Sequence, residues 1–560
     1  MGKAMERRWV AHYASGVPAE IPTPNGSLVD LQEAAVARYG SKIALGFFGA
    51  EVSYSKLGEG VSEVAEGLRR LGVRAGDRVA LVLPNCPQHI LAFYAVLRLG
   101  AVVVEQNPLY TSEELSKTFA DHGARVAIAW DKAVPTLRAM PGPHALKDVV
   151  AVDLTRAMPL VQRVALSLPL KKVRALRETL TTPAQQTIPF EDLRAHGRLD
   201  PMHPQPGVGD LAAIQYTSGT TGLPKGAMLT HGNLVANAAQ GRAWVPGLLE
   251  GREVVYAVLP MFHAYGLTLC VTFAISIGAR LVLFPKFDVD LVLKAARKHP
   301  PTFLPAVPPI YERLATAAKQ RDANLHSLRF AISGAMPLPP QTLALWEEVT
   351  GGLLVEGYGL TEASPVALGN PLGPSRRPGA VGLPFPSTDI RVVDPENPSV
   401  DREPGERGEL LLRGPQVFKG YWNNDEETRK ALVDGEWLRT GDIVEVDTDG
   451  FVSVVDRIKE IIITGGFNVM PSEVEAVLRE LPGVTDAAVV GLPAKSMGEQ
   501  VVAAVTVSED AFDPAAARAA CAERLAAYKV PRRIVVVEEL PRSIVGKVLR
   551  REVKASLMTS

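Results

Sequence analysis

The sequence is poor in the residues that mark several classes of protein. Only three of its 560 residues are cysteine, Cys86, Cys270 and Cys521, and they lie far apart. Their spacing fits no metal site, so we expect reduced cysteines in the core of a cytosolic protein. The formal net charge is −1, so the chain has no overall positive field to attract nucleic acid.

The sequence also lacks a long apolar segment. The longest apolar run, about 266–279, ends at Arg280 and is shorter than the roughly 20 residues that cross a bilayer. The first eight residues lack the apolar stretch of a signal peptide, and Glu6 breaks the myristoylation pattern. We therefore expect a cytoplasmic protein.

The order of the predicted elements indicates an α/β fold. Strands are predicted from Asp77, Val102 and Arg125, with helices at 88–99 and after the capping box at Thr111 between them. This alternation predicts mainly parallel sheets covered by helices. After Asp456 a shorter series of helices and strands predicts a separate unit of about 100 residues.

The length exceeds one ordinary core, which implies two or more domains. We expect a large N-terminal α/β region of several subdomains with mainly parallel sheets, at residues 1–456. A hinge at 457–459 and a small, mobile C-terminal α/β domain at 460–560 follow.

The most informative stretch is Tyr216–Gly226, Tyr-Thr-Ser-Gly-Thr-Thr-Gly-Leu-Pro-Lys-Gly. Glycines allow backbone N–H groups to approach an anion closely, and hydroxyls and a lysine add further ligands. The spacing is not that of a Walker A loop. The stretch therefore predicts a polyphosphate site made by Thr217, Ser218, Gly219, Thr220, Thr221, Gly222 and Lys225.

This stretch resembles the phosphate loop of the adenylate-forming superfamily, which includes acyl-CoA synthetases, firefly luciferase and peptide-synthetase adenylation domains. Further motifs follow in the family's order and cover most of the chain from about Asp77 to Arg551. The resemblance implies ATP and CoA as co-substrates and Mg²⁺ as the metal.

A second motif, Glu356–Glu362, resembles the family's next nucleotide motif. The resemblance implies that Tyr358, between Gly357 and Gly359, lies against the adenine. It also implies that Thr361 contacts the α-phosphate and that Glu362, with Thr217, binds Mg²⁺. Gly334 and Ala335, in the motif Ser333–Pro337, are expected along the adenine.

The remaining nucleotide motifs lie toward the C-terminus. Asp442 resembles the family's ribose ligand and Arg457 a second ribose or phosphate contact. Lys459 lies at the family's hinge position. Lys547 resembles the catalytic lysine that joins the substrate carboxylate to the α-phosphate, although Ile544 and Val545 stand where relatives often have a hydroxyl residue.

Two motifs concern the acyl group and its acceptor. His263, in Pro260-Met-Phe-His, resembles the gate that moves between the two half-reactions, and Gly465 and Gly466 resemble the lining of a CoA tunnel. Tyr265, Val307, Pro308 and Ser333 are expected as walls of an acyl pocket.

The overall pattern is most similar to bacterial long-chain fatty-acid–CoA ligases. The implied reaction converts a fatty acid to acyl-AMP and then to acyl-CoA, with release of pyrophosphate and AMP. Three alternatives stay open. They are an acyl-AMP ligase that loads an acyl carrier protein, an aryl-acid CoA ligase of the coumarate type, and a non-catalytic scaffold that binds nucleotide and lipid.

Residues 156–177 carry six cations among apolar residues and no acidic residue. This pattern suits either a solvated positive face or a peripheral contact with the inner face of the membrane. The expected partners are a fatty acid, ATP and CoA, and a homodimer is left open.

Overall fold

The structure of the chain is a computed structural model, which describes residues 5–217, 224–464, 467–494, 498–508, 512–543 and 546–559. Two compact units share these residues. The large unit comprises Arg7–Asp389 and Leu412–Leu438, and the small unit comprises Met1–Glu6, Ile390–Leu411 and Arg439–Ser560.

The strands are short and mostly buried. Their bounds are β1 Ile43–Phe47, β2 Ala50–Ser53, β3 Arg78–Val82, β4 Val102–Glu105, β5 Val126–Trp130, β6 Asp148–Val152, β7 Ile188–Pro189, β8 Leu211–Thr217, β9 Lys225–Thr230, β10 Val254–Ala257, β11 Arg280–Leu283, β12 Phe303–Ala306, β13 Phe330–Ser333, β14 Leu353–Gly359, β15 Val366–Gly369, β16 Leu383–Pro384, β17 Asp389–Val393, β18 Gly408–Arg413, β19 Gly420–Tyr421, β20 Leu432–Val433, β21 Trp437–Val446, β22 Val452–Arg457, β23 Ile462–Thr464, β24 Phe467–Val469, β25 Val484–Ala494, β26 Gly498–Val507 and β27 Arg533–Val536.

The helices lie mainly in the large unit. Their bounds are α1 Leu28–Tyr39, α2 Tyr54–Arg70, α3 Pro87–Arg98, α4 Ser112–His122, α5 Val134–Arg138, α6 Leu160–Leu166, α7 Lys171–Leu180, α8 Phe190–Leu193, α9 His231–Trp244, α10 Ala264–Gly266, α11 Phe273–Ser276, α12 Val289–Ala296, α13 Pro308–Gln320, α14 Pro340–Thr350, α15 Asp425–Ala431, α16 Pro471–Arg479, α17 Pro514–Arg524 and α18 Arg550–Thr559. A π-helical stretch, Leu267–Thr272, joins α10 to α11.

Two sheets form the framework of the large unit. One has the order β19-β9-β8-β4-β3-β5-β6-β7, and the other has the order β16-β15-β14-β13-β12-β10-β11-β1-β2. Their central pairs are parallel, as in β4-β3-β5 and β12-β13-β14. Helices cover these sheets, so strands such as β4 are buried along their whole length. The prediction of mainly parallel sheets is confirmed.

The strands and the helix cap predicted for the first of these sheets are also observed. The strands predicted from Asp77, Val102 and Arg125 are β3, β4 and β5. The capping box at Thr111 is present, because its hydroxyl accepts from the Glu114 N–H while the Glu114 carboxylate accepts from the Thr111 N–H. Helix α4 ends at Gly123, whose φ of +62° is left-handed and costs glycine little.

The small unit is built around antiparallel pairs. Strand β22 pairs antiparallel with β21, and the long strands β25 and β26 form a hairpin to which β27 adds in parallel. Helix α16 packs against β25 through Val474, Val477 and Leu478. The strands and helices expected after Asp456 are therefore present, whereas the proposed boundary and hinge at 457–459 stay a prediction.

Two absences concern the described part of the chain. None of its helices is both long enough and apolar enough to cross a membrane. All three cysteines are buried and unpaired, as expected.

Candidate functional site

The predicted phosphate loop joins two antiparallel strands. Strand β8 ends at Thr217, which lies opposite Lys225, the first residue of β9. Residues Ser218, Gly219, Thr220, Thr221 and Gly222 lie outside the described residues. The structure thus brings the two ends of the loop together, because the register of the sheet holds Thr217 against Lys225.

Lys225 is held by partners in the segment that follows β19. Its ammonium forms an ion pair with the Glu427 carboxylate and lies 5.3 Å from the centre of the Tyr421 ring. Hydrogen bonds from Lys225 and Lys430 lower the pKa of Glu427 to about 2. Glu427 is therefore ionised at neutral pH and acts as the resident anion of Lys225.

Glu362 is held by residues in and just before β19. It lies in the 3₁₀ turn Thr361–Ala363, directly after β14. The Tyr421 hydroxyl donates to Glu362 Oε1 at 2.7 Å, and the Phe418 N–H donates to the Glu362 carbonyl at 2.8 Å. Burial and the neighbouring Glu362 carboxylate raise the pKa of Tyr421, so its hydroxyl stays a donor.

Strand β19 explains how these groups meet. It pairs with β9 through Gly420 opposite Met228 and Tyr421 opposite Ala227. Tyr421 therefore contacts both Lys225 and Glu362, and Thr361 is the first residue of the turn that holds Glu362. We call Lys225, Glu362, Tyr421 and Glu427 the phosphate-side cluster.

The phosphate-side cluster suits Mg²⁺ in its donor chemistry. The Tyr421 hydroxyl occupies one oxygen of the Glu362 carboxylate, and Mg²⁺ is bound by one or two carboxylates together with substrate phosphates. Among the described residues, no group of three His, Cys, Asp or Glu side chains could hold a metal without such phosphates.

The backbone of β14, the strand predicted to lie against the adenine, packs closely against neighbouring backbone. Tyr358 is half-buried in β14, opposite Leu368. A Cβ at Gly359 would lie 2.0 Å from the Pro365 carbonyl oxygen, so only glycine fits there. Gly357 lies opposite Gly369 on the same strand pair.

The loop after β13 packs on Tyr265. A Cβ at Gly334 would lie 3.1 Å from the Tyr265 ring, and Ala335 has a φ of +69°. The Tyr265 hydroxyl donates to the Ile332 carbonyl at 2.7 Å. Ser333 is buried, and its hydroxyl has no hydrogen-bond partner within the described residues, which suits a polar ligand group.

His263 is the N-cap residue of helix α10 and is neutral at pH 7. Its Nδ1 accepts from the Tyr265 N–H at 3.3 Å, and burial lowers its pKa. Asn85 fixes the preceding motif, because its side chain donates to the carbonyls of Ala257 and Leu259 and accepts from the Met261 N–H.

A narrow cavity lies between α9, the π-helical stretch and the second sheet. Its volume is about 20 Å³, room for about one water. Gly241, Trp244 and Gly357 are among the residues that line it, and Gly357 directly precedes Tyr358 on β14. Its lining is otherwise mostly apolar, with Val245, Leu269, Phe273, Phe303, Ile332, Val355, Val366 and Phe385.

Aromatic rings pack together where Trp244 and Phe385 line this cavity. The rings of Trp244 and Phe385 stack at 4.7 Å, and Tyr13 packs edge-on against Trp244 at 5.0 Å. Glu356 is the acidic residue of the lining, and burial raises its pKa to about 7.

The predicted acyl walls lie elsewhere in the same unit. Val307 and Pro308 are buried where α13 begins. Neither they nor Tyr265 and Ser333 line the cavity, and their role stays a prediction.

In the small unit, the two predicted ribose ligands form a pair. Asp442 on β21 lies opposite Arg457 on β22, and Arg457 Nε is 2.9 Å from Asp442 Oδ1. Asp442 is buried whereas Arg457 is exposed, so the carboxylate is fixed by a side chain that is itself accessible.

Lys547 belongs to the same electrostatic group. Burial, and after it the Arg457 guanidinium, lower its pKa to about 8, against the opposing effects of Glu460 and Asp442. Within the described part of the chain, its ammonium forms no hydrogen bond or ion pair. Nearby, Arg550 binds Glu475 at 2.8 Å and also pairs with Glu460.

Three other predictions concern this unit. Lys459 is exposed in the 3₁₀ turn Ile458–Glu460. Gly465 and Gly466, predicted to line a CoA tunnel, lie outside the described residues, as do Ile544 and Val545.

The chain matches two known sequence families in this order. Residues 32–422 match the AMP-binding enzyme family, and residues 473–547 match the AMP-binding enzyme C-terminal domain. The chain is an AMP-binding enzyme. The resemblance to the adenylate-forming superfamily is thereby confirmed.

Individual relatives of this AMP-binding enzyme span its whole length. A long-chain-fatty-acid–CoA ligase of Bacillus subtilis is 38% identical over 555 residues, which are 98% of this chain and 97% of that protein. ATP-bound MatB from Rhodopseudomonas palustris has a TM-score of 0.81 and 29% identity, covering 94% of this chain and 98% of that one. A Mycobacterium tuberculosis fatty acyl CoA synthetase has a TM-score of 0.74 and 28% identity, covering 95% and 98%.

In this AMP-binding enzyme, Tyr421, Glu427 and Trp244 were not predicted from the sequence. Tyr421 lies in a two-residue strand and Glu427 in a short helix, neither with a phosphate-binding pattern of its own, so only the pairing of β19 with β9 reveals them. Trp244 could have been found from the sequence, because Asn237, Gly241 and Trp244 are spaced so that they share one face of α9.

Proposed function

We propose that this AMP-binding enzyme is a long-chain fatty-acid–CoA ligase. In the first step the acid carboxylate attacks the α-phosphorus of ATP, the bond to the β-phosphate breaks, and pyrophosphate leaves. In the second step the CoA thiolate attacks the acyl carbon of acyl-AMP, and AMP leaves. The observation that supports it most is a mostly apolar cavity lined in part by β14, the strand that carries Tyr358 and leads into the turn with Glu362.

The charges of the first step require cations and fixed donors, because two anions must approach each other. Lys225 and the loop that it ends would bind the β- and γ-phosphates, and Thr361 would contact the α-phosphate. Lys547 would stabilise the charge that develops as the carboxylate attacks. Tyr358, Gly334 and Ala335 would hold the adenine, and Asp442 and Arg457 the ribose.

Glu362 would hold Mg²⁺ together with the phosphates and Thr217. When bound, the ion would neutralise charge on the phosphate oxygens. The Tyr421 hydroxyl orients the carboxylate by occupying one of its oxygens, which leaves the other oxygen for the metal.

The acyl chain would extend from Tyr358 into the apolar cavity. Each methylene buried there would contribute about 0.8 kcal/mol. The cavity holds about one water, so a long chain requires side chains to move. Trp244 and Phe385, which stack where they line it, are the groups that a long chain would displace.

A larger side chain inside the cavity should shift the substrate preference toward acids with shorter chains. A Cβ at Gly241 would already lie 3.3 Å from the Phe273 ring, so Gly241→Leu should reduce kcat/KM for palmitate at least about tenfold more than for butyrate. Ala239→Leu, on the half-exposed face of the same helix, is the matched control. Equal losses for both acids would remove the cavity from the acyl site.

The proposal is tested by pyrophosphate release from the purified chain with ATP, Mg²⁺ and a panel of acids, with and without CoA. Mass spectrometry identifies the products. Palmitoyl-CoA that forms only with CoA supports the proposal. Acyl-AMP that ignores CoA and loads an acyl carrier protein, or a preference for an aryl acid over palmitate, would replace it with the corresponding alternative. Failure of every acid would favour a binding scaffold.

The second step concerns residues whose roles rest on resemblance alone. Gly465 and Gly466 would line the CoA tunnel, His263 would act as the gate, and Lys459 would be the hinge between half-reactions. A homodimer stays a prediction that no described contact tests.

A further inference from the structure

The basic segment of the sequence folds into a helical hairpin on the large unit. Helices α6 and α7 pack against each other, and Pro159 and Pro169 precede them. We call residues 160–180 the basic hairpin. Its helices are too short to enter a bilayer end-on, so any membrane contact must be made with the hairpin lying on the surface.

The basic hairpin is anchored at a few defined points. Leu166 and Leu180 are buried. The Trp130 indole donates to the Leu180 carbonyl at 2.9 Å, and the Gln162 amide donates to the Phe48 carbonyl at 2.6 Å. These contacts fix the hairpin on the large unit and leave one side of it outward.

The outward side is apolar to an unusual extent for a protein surface. Val161 is 80% exposed, Leu160 69% and Val164 59%. Val164 shares a face of α6 with both Leu160 and Val161, because it follows them by four and three residues. Leu168, Leu170 and Leu176 of the same hairpin are also exposed, and we call these six residues the apolar patch. Exposed apolar side chains concentrated in one short segment mark an interaction surface.

The basic hairpin also carries exposed cations. Lys171, Lys172 and Arg177 are exposed on α7. Arg174 is paired with Glu178, and both side chains of that pair are largely exposed. No acidic residue lies between Arg156 and Arg177, so the patch and its rim carry a local positive charge in a chain of net charge −1.

We propose that the basic hairpin docks the enzyme on an anionic lipid bilayer, with the aliphatic side chains of α6 among the acyl chains and the lysines of α7 among the headgroups. Two features favour a bilayer over a protein groove. The exposed side chains are flexible aliphatic ones without the aromatic anchors typical of protein hot spots, and basic residues beside an apolar helical face suit anionic headgroups. The use of such docking rests on the proposed function, since a long-chain acid partitions into lipid.

Co-sedimentation of the full chain with vesicles tests this surface. The vesicles contain either equal parts of phosphatidylglycerol and phosphatidylcholine or phosphatidylcholine alone, at about 0.1 M salt. We expect binding to the anionic vesicles and its loss at high salt. Lys171→Gln/Lys172→Gln should weaken that binding roughly 30-fold, which is the effect of two charges near an anionic surface.

The contribution of the exposed apolar side chains of α6 to vesicle binding is tested separately. Leu160→Ser/Val161→Ser/Val164→Ser should weaken binding at least about tenfold. Leu109→Ser/Met202→Ser/Leu249→Ser is the matched control, because these three side chains are also exposed apolar groups of the large unit. Lys294→Gln/Lys298→Gln, both exposed, is the control for charge.

Each result decides the proposal. Selective loss in the hairpin variants, with unchanged activity on a water-soluble short-chain acid, supports it. Equal binding of parent and hairpin variants, equal loss in the controls, or indifference to lipid charge would overturn it. Self-association that disappears only in the apolar variant would instead make the hairpin an interface between copies. Inactivity of the parent on all acids would count against the proposed function and leave the vesicle result intact.

Discussion

The two units hold their functional cations in opposite ways. In the large unit, Lys225 is paired with Glu427 and lies beside the Tyr421 ring. In the small unit, Lys547 is half-buried and, within the described residues, has no hydrogen-bonded anion, and burial lowers its pKa to about 8. One lysine is therefore neutralised before substrate binds, and the other carries an unfavourable buried charge.

This difference suits two different tasks. A paired lysine has its position fixed and exchanges one anion for another, so it favours binding of phosphates with little change in net charge. A buried, unpaired ammonium gains most when an anion reaches it, because the low dielectric strengthens the new interaction. Lys547 is thus suited to charge that appears during the reaction, and Lys225 to charge that the substrate brings.

Removal of the unpaired lysine should have the largest effect. We expect Lys547→Ala to lower the rate of acyl-AMP formation by about 10²–10³-fold, the usual cost of a lost electrostatic contact to a transition state. Thioester formation from supplied acyl-AMP should stay within a few-fold of the parent. Both rates can be measured by quenched-flow and mass spectrometry.

A control keeps this first prediction specific. Lys554→Ala removes a partly exposed lysine of the same unit that pairs with Glu499, and it should leave both rates unchanged. Equal loss of both half-reactions in Lys547→Ala would show that Lys547 supports the fold or the second step instead.

Loss of the carboxylate on the phosphate-side cluster should come next. Glu362→Gln should raise the Mg²⁺ concentration needed for half-maximal rate at least about tenfold, because one carboxylate ligand is lost. Tyr421→Phe should raise it less, since the carboxylate stays but loses its orienting hydroxyl. Glu426→Gln is the exposed control on α15. An unchanged Mg²⁺ dependence in Glu362→Gln would exclude Glu362 from the metal site.

The pH dependence of adenylation should report the ionisation of Lys547. Lys547 is charged below its pKa of about 8, so kcat/KM for adenylation should fall as pH rises through about 8, nearly tenfold per unit above it. This ratio reports ionisations of the free enzyme. In Lys547→Arg the guanidinium stays charged, so the residual activity should lack this decline. A decline that persists in Lys547→Arg would assign it to another group.

The residues that lie in local sequence motifs were predicted, whereas the residues that contact Lys225 and Glu362 from a distant part of the chain were not. Lys225, Glu362 and Lys547 lie in motifs whose glycines, hydroxyls and charges have a chemical meaning on their own. Tyr421 and Glu427 gain theirs only because β19 pairs with β9, a contact between residues about 200 positions apart along the chain. Such long-range pairing leaves no local pattern.

The parallel sheets were predictable for a similar reason. Buried strands such as β3 alternate with amphipathic or capped helices, and that pattern is local. The apolar cavity was not, since its walls come from α9, the π-helical stretch and the second sheet. The predicted walls Val307 and Pro308 are apolar and near in sequence to that sheet, but hydropathy does not show which side of a strand faces a cavity.

The smallest expected effect concerns the anion that Lys225 already has. Glu427 must yield Lys225 to the incoming phosphates, so Glu427→Gln should lower the Kd for ATP about threefold, the range of a partly exposed ion pair. Lys430→Gln is the matched change, because it removes the other cation from Glu427 and should weaken ATP binding slightly. Both are measured by isothermal titration with MgATP. Weaker ATP binding in Glu427→Gln would mean that Glu427 positions Lys225 more than it competes for it, and the paired lysine would then owe its function to its fixed geometry.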